Sequence, residues 1–168
     1  KTNMPNITLF KGKDHRFVLL NESDPGEEDG IPSNQFLILH GHKGVLLDPG
    51  GFGVMPQVLT ELLKYIKPDQ VEGIVLSHQD PDIVGGLSSW MELTPAKVYV
   101  SKVWKRFIPH YGIKQMDRFV GIPDEGEILK IDSKFELQLV PAHRQVYLLS
   151  QNLQILHQIL LEHKHWES

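Results

Sequence analysis

The chain predicts an α/β domain, and three observations carry that reading. Hairpin-like pairs of apolar runs stand near both ends, helix-spaced segments alternate with short strand-like runs between them, and 168 residues leave room for a single core. With 40% hydrophobic residues the chain can bury one sizeable core, whereas two comfortable domains would need more length. Residues 7–10 and 16–20 read as strands around the turn Lys11-Gly12-Lys13-Asp14, with a charged loop over 21–30 behind them. Residues 35–40 and 44–47 are the next apolar runs, joined at Gly41-His42-Lys43, and the second exits into Asp48-Pro49-Gly50-Gly51. Val58, Leu62, Leu63 and Ile66 have helical spacing between Pro56 and Pro68, and that helix feeds a strand at 73–76. A helix over 84–93, a strand over 97–100 and a short helix over 101–111 follow. Residues 127–131 and 135–140 form a late hairpin around Asp132-Ser133-Lys134, and its second strand runs into Pro141-Ala142-His143. No internal repeat or linker is evident.

Composition narrows the function classes. The 17 basic and 21 acidic residues give a formal charge of −4, so no bulk basic field attracts nucleic acid or an anionic membrane. Small-molecule or protein partners are expected instead. The chain has no cysteine, which removes disulfides, thiolate metal sites, iron-sulfur ligation and a Cys nucleophile, and leaves His, Asp and Glu as available ligands. No apolar stretch approaches the roughly 20 residues that span a bilayer, and Lys1-Thr2-Asn3 leads into no signal-peptide core. The expectation is a soluble, cytoplasmic protein.

The densest chemistry lies in Ser77-His78-Gln79-Asp80-Pro81-Asp82, which sets an imidazole and two carboxylates within five residues, directly after the apolar run Ile74-Val75-Leu76. Polar side chains leaving the end of a strand can converge on a cation without disturbing the sheet. Pro81 stiffens the turn, and Gly85-Gly86 lets the chain bend sharply afterwards. The plain alternative is a polar loop of the kind that often follows a strand. A second strand end bearing a histidine, His143, favours the metal reading. Asp48 reads as a turn residue or as support for the metal loop. His15, His40, His42 and His110 show no partner pattern and read as surface residues.

Taken in order, Ser33-Asn34-Gln35-Phe36-Leu37-Ile38, Leu47-Asp48-Pro49-Gly50, residues 76–82, Gly85-Gly86-Leu87 and Leu139-Val140-Pro141-Ala142-His143 resemble the metallo-β-lactamase fold. Within it they resemble the di-iron branch, the flavodiiron and oxygen-binding di-iron proteins. The resemblance implies the N-terminal portion of an αββα sandwich over residues 1–143, a partial domain. It implies that His78, Asp80 and His143 bind a first metal and that Asp82 belongs to a second. A carboxylate at Asp80, where zinc hydrolases of this fold usually place histidine, suits iron better than zinc. Two departures stand out: Ile83 occupies the place where the family usually has a histidine after the second Asp, and residues 144–168 do not resemble the family's continuation. There Leu149, Leu153, Leu156 and Leu160 fall at helical spacing, so a divergent, helical tail is expected in place of the second half of the sandwich. Glu162, His157, His163 and His165 are the tail's own potential ligands.

The resemblance implies a non-haem di-iron protein, or a single-metal remnant of one, that binds or reduces dioxygen or nitric oxide. The chain carries no flavodoxin-like phosphate loop, so electrons would come from an external redox partner, or the role would be sensing. The alternatives are a zinc-dependent metallo-hydrolase and a truncated, metal-poor interaction module or non-functional variant of the fold, and whether the chain is an enzyme stays open. An incomplete second sheet would leave an apolar face exposed, so self-association into a homo-oligomer is a further expectation.

Overall fold

The computed structural model describes residues 7–21, 33–142 and 145–149. A seven-stranded sheet runs in sequence order: β1 (Ile7–Lys11), β2 (His15–Asn21), β3 (Gln35–His40), β4 (Lys43–Leu47), β5 (Val71–Val75), β6 (Lys97–Ser101) and β7 (Phe119–Ile122). The first four strands are antiparallel, and β4 to β7 are parallel. Parallel neighbours need crossovers, which are supplied by α1 (Met55–Leu62), then α2 (Pro81–Val84) with α3 (Leu87–Leu93), then α4 (Lys102–Lys105) and two 3-10 turns. A second sheet of three antiparallel strands contains β8 (Glu127–Lys130), β9 (Glu136–Ala142) and β10 (Gln145–Leu149), with β9 in the middle.

Strand periodicity divides the core in two. Val18, Leu37, Leu39, Leu46, Ile74, Val98 and Val100 point to one face of the large sheet, where Val58, Leu62, Ile83, Leu87 and Trp90 of the crossovers cover them. Phe17, Ile38, Val45, Leu47 and Val75 point to the other face, against Leu129, Phe135, Leu137 and Leu139 of the small sheet. The inner strands of the large sheet are therefore buried on both faces, which corrects the expectation of an open apolar face, while the edge strand β1 is exposed. Gly73 permits this contact, because a Cβ there would lie 2.9 Å from Leu129 Cδ1.

Most predicted elements are present, with instructive differences. The helix expected over 84–93 is two pieces broken at Gly85-Gly86, and the one over 101–111 is α4 followed by a 3-10 turn at Ile108–Tyr111, where Pro109 removes a helical donor. Strand β7 went unread because its four residues are followed at once by Pro123. Residues 145–149, assigned above to a divergent tail, form β10: Val146 and Tyr147 suit a strand, and they pair with Pro141 and Val140 of β9. The rest of the expected helix, with Glu162, His157, His163 and His165, lies outside the described residues.

Candidate metal centre

The parallel strands β4 and β5 end side by side, and their exits build the site. Asp48 leaves β4 with φ of 49°, a left-handed conformation that Asp and Asn tolerate better than most side chains. This turns its carboxylate beneath the exit of β5, where Oδ1 accepts the backbone N–H of Ser77 at 2.7 Å. Asp48 is only 1% exposed, and its Oδ2 has no hydrogen-bond partner among the described residues. Burial pushes its carboxyl up to about 6, against the lowering pull of the Ser77 backbone N–H and hydroxyl; His78 also lowers it, and Asp82 raises it.

The neighbouring Ser77 Oγ lies 2.9 Å from His78 Nδ1, so Nδ1–H can donate to the hydroxyl and leave Nε2 as the ligating nitrogen. Nε2 is 3.5 Å from Asp80 Oδ2. Ligand atoms of His78, Asp80 and Asp82 all lie within 4.8 Å of one another, a spacing that one cation can bridge. His78 is largely enclosed, whereas Asp80 is 53% exposed at the side chain. The predicted cluster is thus brought together by its own loop. His143 lies outside the described residues, one position beyond the last residue of β9.

Two supports were not legible in the motif. Tyr111 Oη donates to the carbonyl of Gln79 at 2.5 Å, and burial, followed by Asp80 and Asp82, raises the Tyr111 hydroxyl above its ordinary value, which keeps it protonated as a donor. A buried polar relay approaches from the other side: Asn21 Nδ2 donates to Gln35 Oε1 at 2.7 Å, Gln35 Nε2 to Ser33 Oγ at 2.9 Å, and Ser33 Oγ to the Asp82 carbonyl at 3.4 Å. Ser33 and Gln35 belong to the motif, and a polar residue closing an apolar strand was the available signal for Asn21. Tyr111, 31 positions after Asp80 in sequence, offered none. Ile83 is fully buried in the helix-side core, so the place of the family's histidine is occupied by a packing residue.

The glycines bring the two loops into contact. Gly86 N–H donates to the Gly50 carbonyl at 3.0 Å, and a Cβ on Gly86 would meet that oxygen at 2.9 Å. Loop 48–51 and the Gly85-Gly86 turn between α2 and α3 therefore touch through backbone, which holds the segment after β5 against the exit of β4.

These features define a class: a metallo-β-lactamase-like α/β protein with a His/Asp cluster of metal-ligand type at the carboxyl ends of its parallel strands. The chain belongs to the ODP family beta lactamase group, whose model matches residues 31–156, a match that continues past His143. It is 32% identical over 124 residues to diflavin flavoprotein A 4 of Synechocystis sp., covering 71% of this chain and 20% of that protein. It superposes on the apo state of the chemotaxis sensor ODP from T. denticola with a TM-score of 0.70 and 34% identity, over 86% of this chain and 58% of the sensor. For a peroxy di-iron species of chemotaxis sensor ODP the values are 0.74 and 32%, over 87% and 59%. The subclass B3 metallo-β-lactamase MEM-A1 from a soil metagenome library has a TM-score of 0.66 at 19% identity, over 88% of this chain and 57% of that chain, and shares the fold alone. This chain thus spans a fifth of the flavoprotein and under three fifths of the sensor. Among the described residues, no helix is long and apolar enough to cross a membrane.

Proposed function

We propose that this chain is the metal-binding unit of a non-haem di-iron protein that binds dioxygen or nitric oxide. The observation that carries the reading is the convergence of His78, Asp80 and Asp82 ligand atoms within 4.8 Å, on a loop held from below by the buried Asp48. The donor set fits a hard, redox-active cation: two carboxylates and one imidazole favour iron or manganese over zinc. His78 and Asp80, with His143, would hold the first ion, and Asp82 would belong to the second. Bound iron would supply a redox-active Lewis acid for a diatomic ligand.

The chain's own residues do the positioning. Ser77 Oγ orients the His78 ring, Asp48 anchors the Ser77 backbone, and Tyr111 holds the Gln79 carbonyl, so that the loop is rigid before a ligand arrives. Ile83 and Val84, both buried, seal the loop's inner side against water. Electrons come from an external donor, or the site reports occupancy without turnover; the sensor ODP and the diflavin flavoprotein among the relatives are compatible with either.

Elemental analysis of protein expressed with iron and zinc both supplied, and purified without chelators, tests the reading. Iron should dominate. Stoichiometric zinc without iron would overturn the proposal in favour of a hydrolytic site.

A further inference from the structure

The opposite end of the large sheet holds a second group of titratable side chains. His15 opens β2 and pairs with His40 at the close of β3, which in turn pairs with Lys43 at the start of β4. These residues lie a full strand length from the exits of β4 and β5. His15 and His40, read above as unpartnered surface residues, are instead joined: their Nδ1 atoms are 2.7 Å apart, their rings stack, and both stack on Phe135, the residue that leads into β9. His40 Nε2 lies 2.7 Å from Asp132 Oδ2 in the β8–β9 turn.

Proton bookkeeping along this row is constrained. The Asp132 carboxylate accepts from His40 Nε2–H. The short Nδ1–Nδ1 contact requires one proton between the two rings, carried by either imidazole. His15 Nε2 has no hydrogen-bond partner among the described residues, and His15 lines a cleft of about 330 Å³. Lys11, Lys13, Arg16, Lys64 and Tyr65 line the same cleft, with Asp14 the one acidic lining residue among the described residues. Lys64 is held by Glu61 at 2.7 Å, whereas Lys11, Lys13 and Arg16 have no ion-pair partner among the described residues. Among the described residues, three cations without an ion-pair partner thus surround a cleft larger than a single ion, on a chain whose formal charge is −4.

We propose that this cleft binds a small organic molecule carrying a phosphate-type dianion, with Lys11, Lys13, Arg16 and His15 as its recognition groups. Tyr65 and Leu39 supply the wall for the organic part. The groups facing His15 are His40 from β3, Asp132 from the β8–β9 turn, Asp14 beside it and the cleft's lysines and arginine. Burial and the neighbouring His40 lower the His15 imidazole below its ordinary value, so it is neutral at neutral pH and adds a positive charge on acidification. Anion affinity therefore rises as pH falls.

Sulfate is the probe for the pH arm, because it keeps its charge over the range in which histidine titrates. Titration of the whole chain at fixed ionic strength, followed by the amide resonances of residues 11–16, should saturate. Affinity should be about threefold higher near pH 5.5 than near pH 7.5, and each of Lys13→Gln and Arg16→Gln should lower it about threefold. His15→Gln should remove the pH dependence. Should that variant misfold, the unmodified protein still answers: sulfate must raise the midpoint of the His15 ring titration, since tighter binding to the protonated form requires it by linkage. Phenyl phosphate should bind more tightly than inorganic phosphate. No saturation at tens of millimolar, indifference to Lys13→Gln and Arg16→Gln, an unmoved His15 midpoint, or equal affinity for the two phosphates would each overturn the assignment.

Discussion

At Asp48 a carboxylate is buried in a left-handed backbone conformation with one oxygen hydrogen-bonded and the other not. Such a group resists ionisation, and the folded chain binds its proton more tightly than the unfolded chain does. Because the folded value of about 6 lies above the unfolded value near 3.8, this residue's contribution to stability falls as pH rises through that window. In metal-free protein, Asp48→Asn should flatten that fall by an amount on the order of 2–3 kcal/mol, because asparagine keeps the acceptor for Ser77 and tolerates the backbone. Urea midpoints measured from pH 4 to pH 7 for both proteins check this, and parallel curves would refute it. The cluster itself makes a different prediction. His78→Ala should strip more iron than Asp82→Ala, because on the proposed assignment the first ion would keep its ligands whereas the second would lack the imidazole that Ile83 replaces. Iron per chain, by elemental analysis, decides between them, and equal losses would mean that the two residues share one ion.

Two loops and one turn give the site its rigidity at the scale of elements. The backbone of loop 48–51 contacts Gly86 directly, so Gly86→Ala should cost about 1–3 kcal/mol through a clash with the Gly50 carbonyl, and should lower metal affinity with it. Chemical denaturation and metal titration of the same variant test both effects. The periodicity over 84–93 suggested one continuous helix, and the split at Gly85-Gly86 shows why pattern alone misses it: apolar residues keep their helical spacing on either side of the break. Tyr111 acts from a more distant turn. Tyr111→Phe removes only the hydroxyl on the Gln79 carbonyl, so stability should fall by about 1 kcal/mol while metal affinity falls more visibly. An unchanged metal affinity would reduce Tyr111 to a packing residue.

Over the whole molecule the large sheet carries one core on each face, and neither face stands alone. Leu137→Ala in the small sheet and Val58→Ala beneath the crossovers remove fully buried side chains from opposite cores. Leu137→Ala should cost about 2–5 kcal/mol, with a smaller cost for the smaller valine. Both should shift a single unfolding transition if the two layers fold as one unit. Thermal unfolding followed by near- and far-ultraviolet circular dichroism separates the cases, and divergent transitions would show that the small sheet melts independently.

Local order was legible in the sequence. Strand runs, their turns and the His78 to Asp82 cluster all depend on neighbours within a few residues, and a strand that ends in closely spaced ligand side chains brings them together almost by itself. The burial of Asp48, the reach of Tyr111 to Gln79, the Asn21–Gln35–Ser33 relay and the pairing of His15 with His40 depend on contacts between segments far apart in the chain. The pairing of β2 with β3 places the two imidazoles side by side, and no spacing along a single strand encodes that register. The fate of the apolar strand faces was likewise decided in three dimensions, because alternation marks two sides to be covered but does not say that helices take one and the small sheet the other.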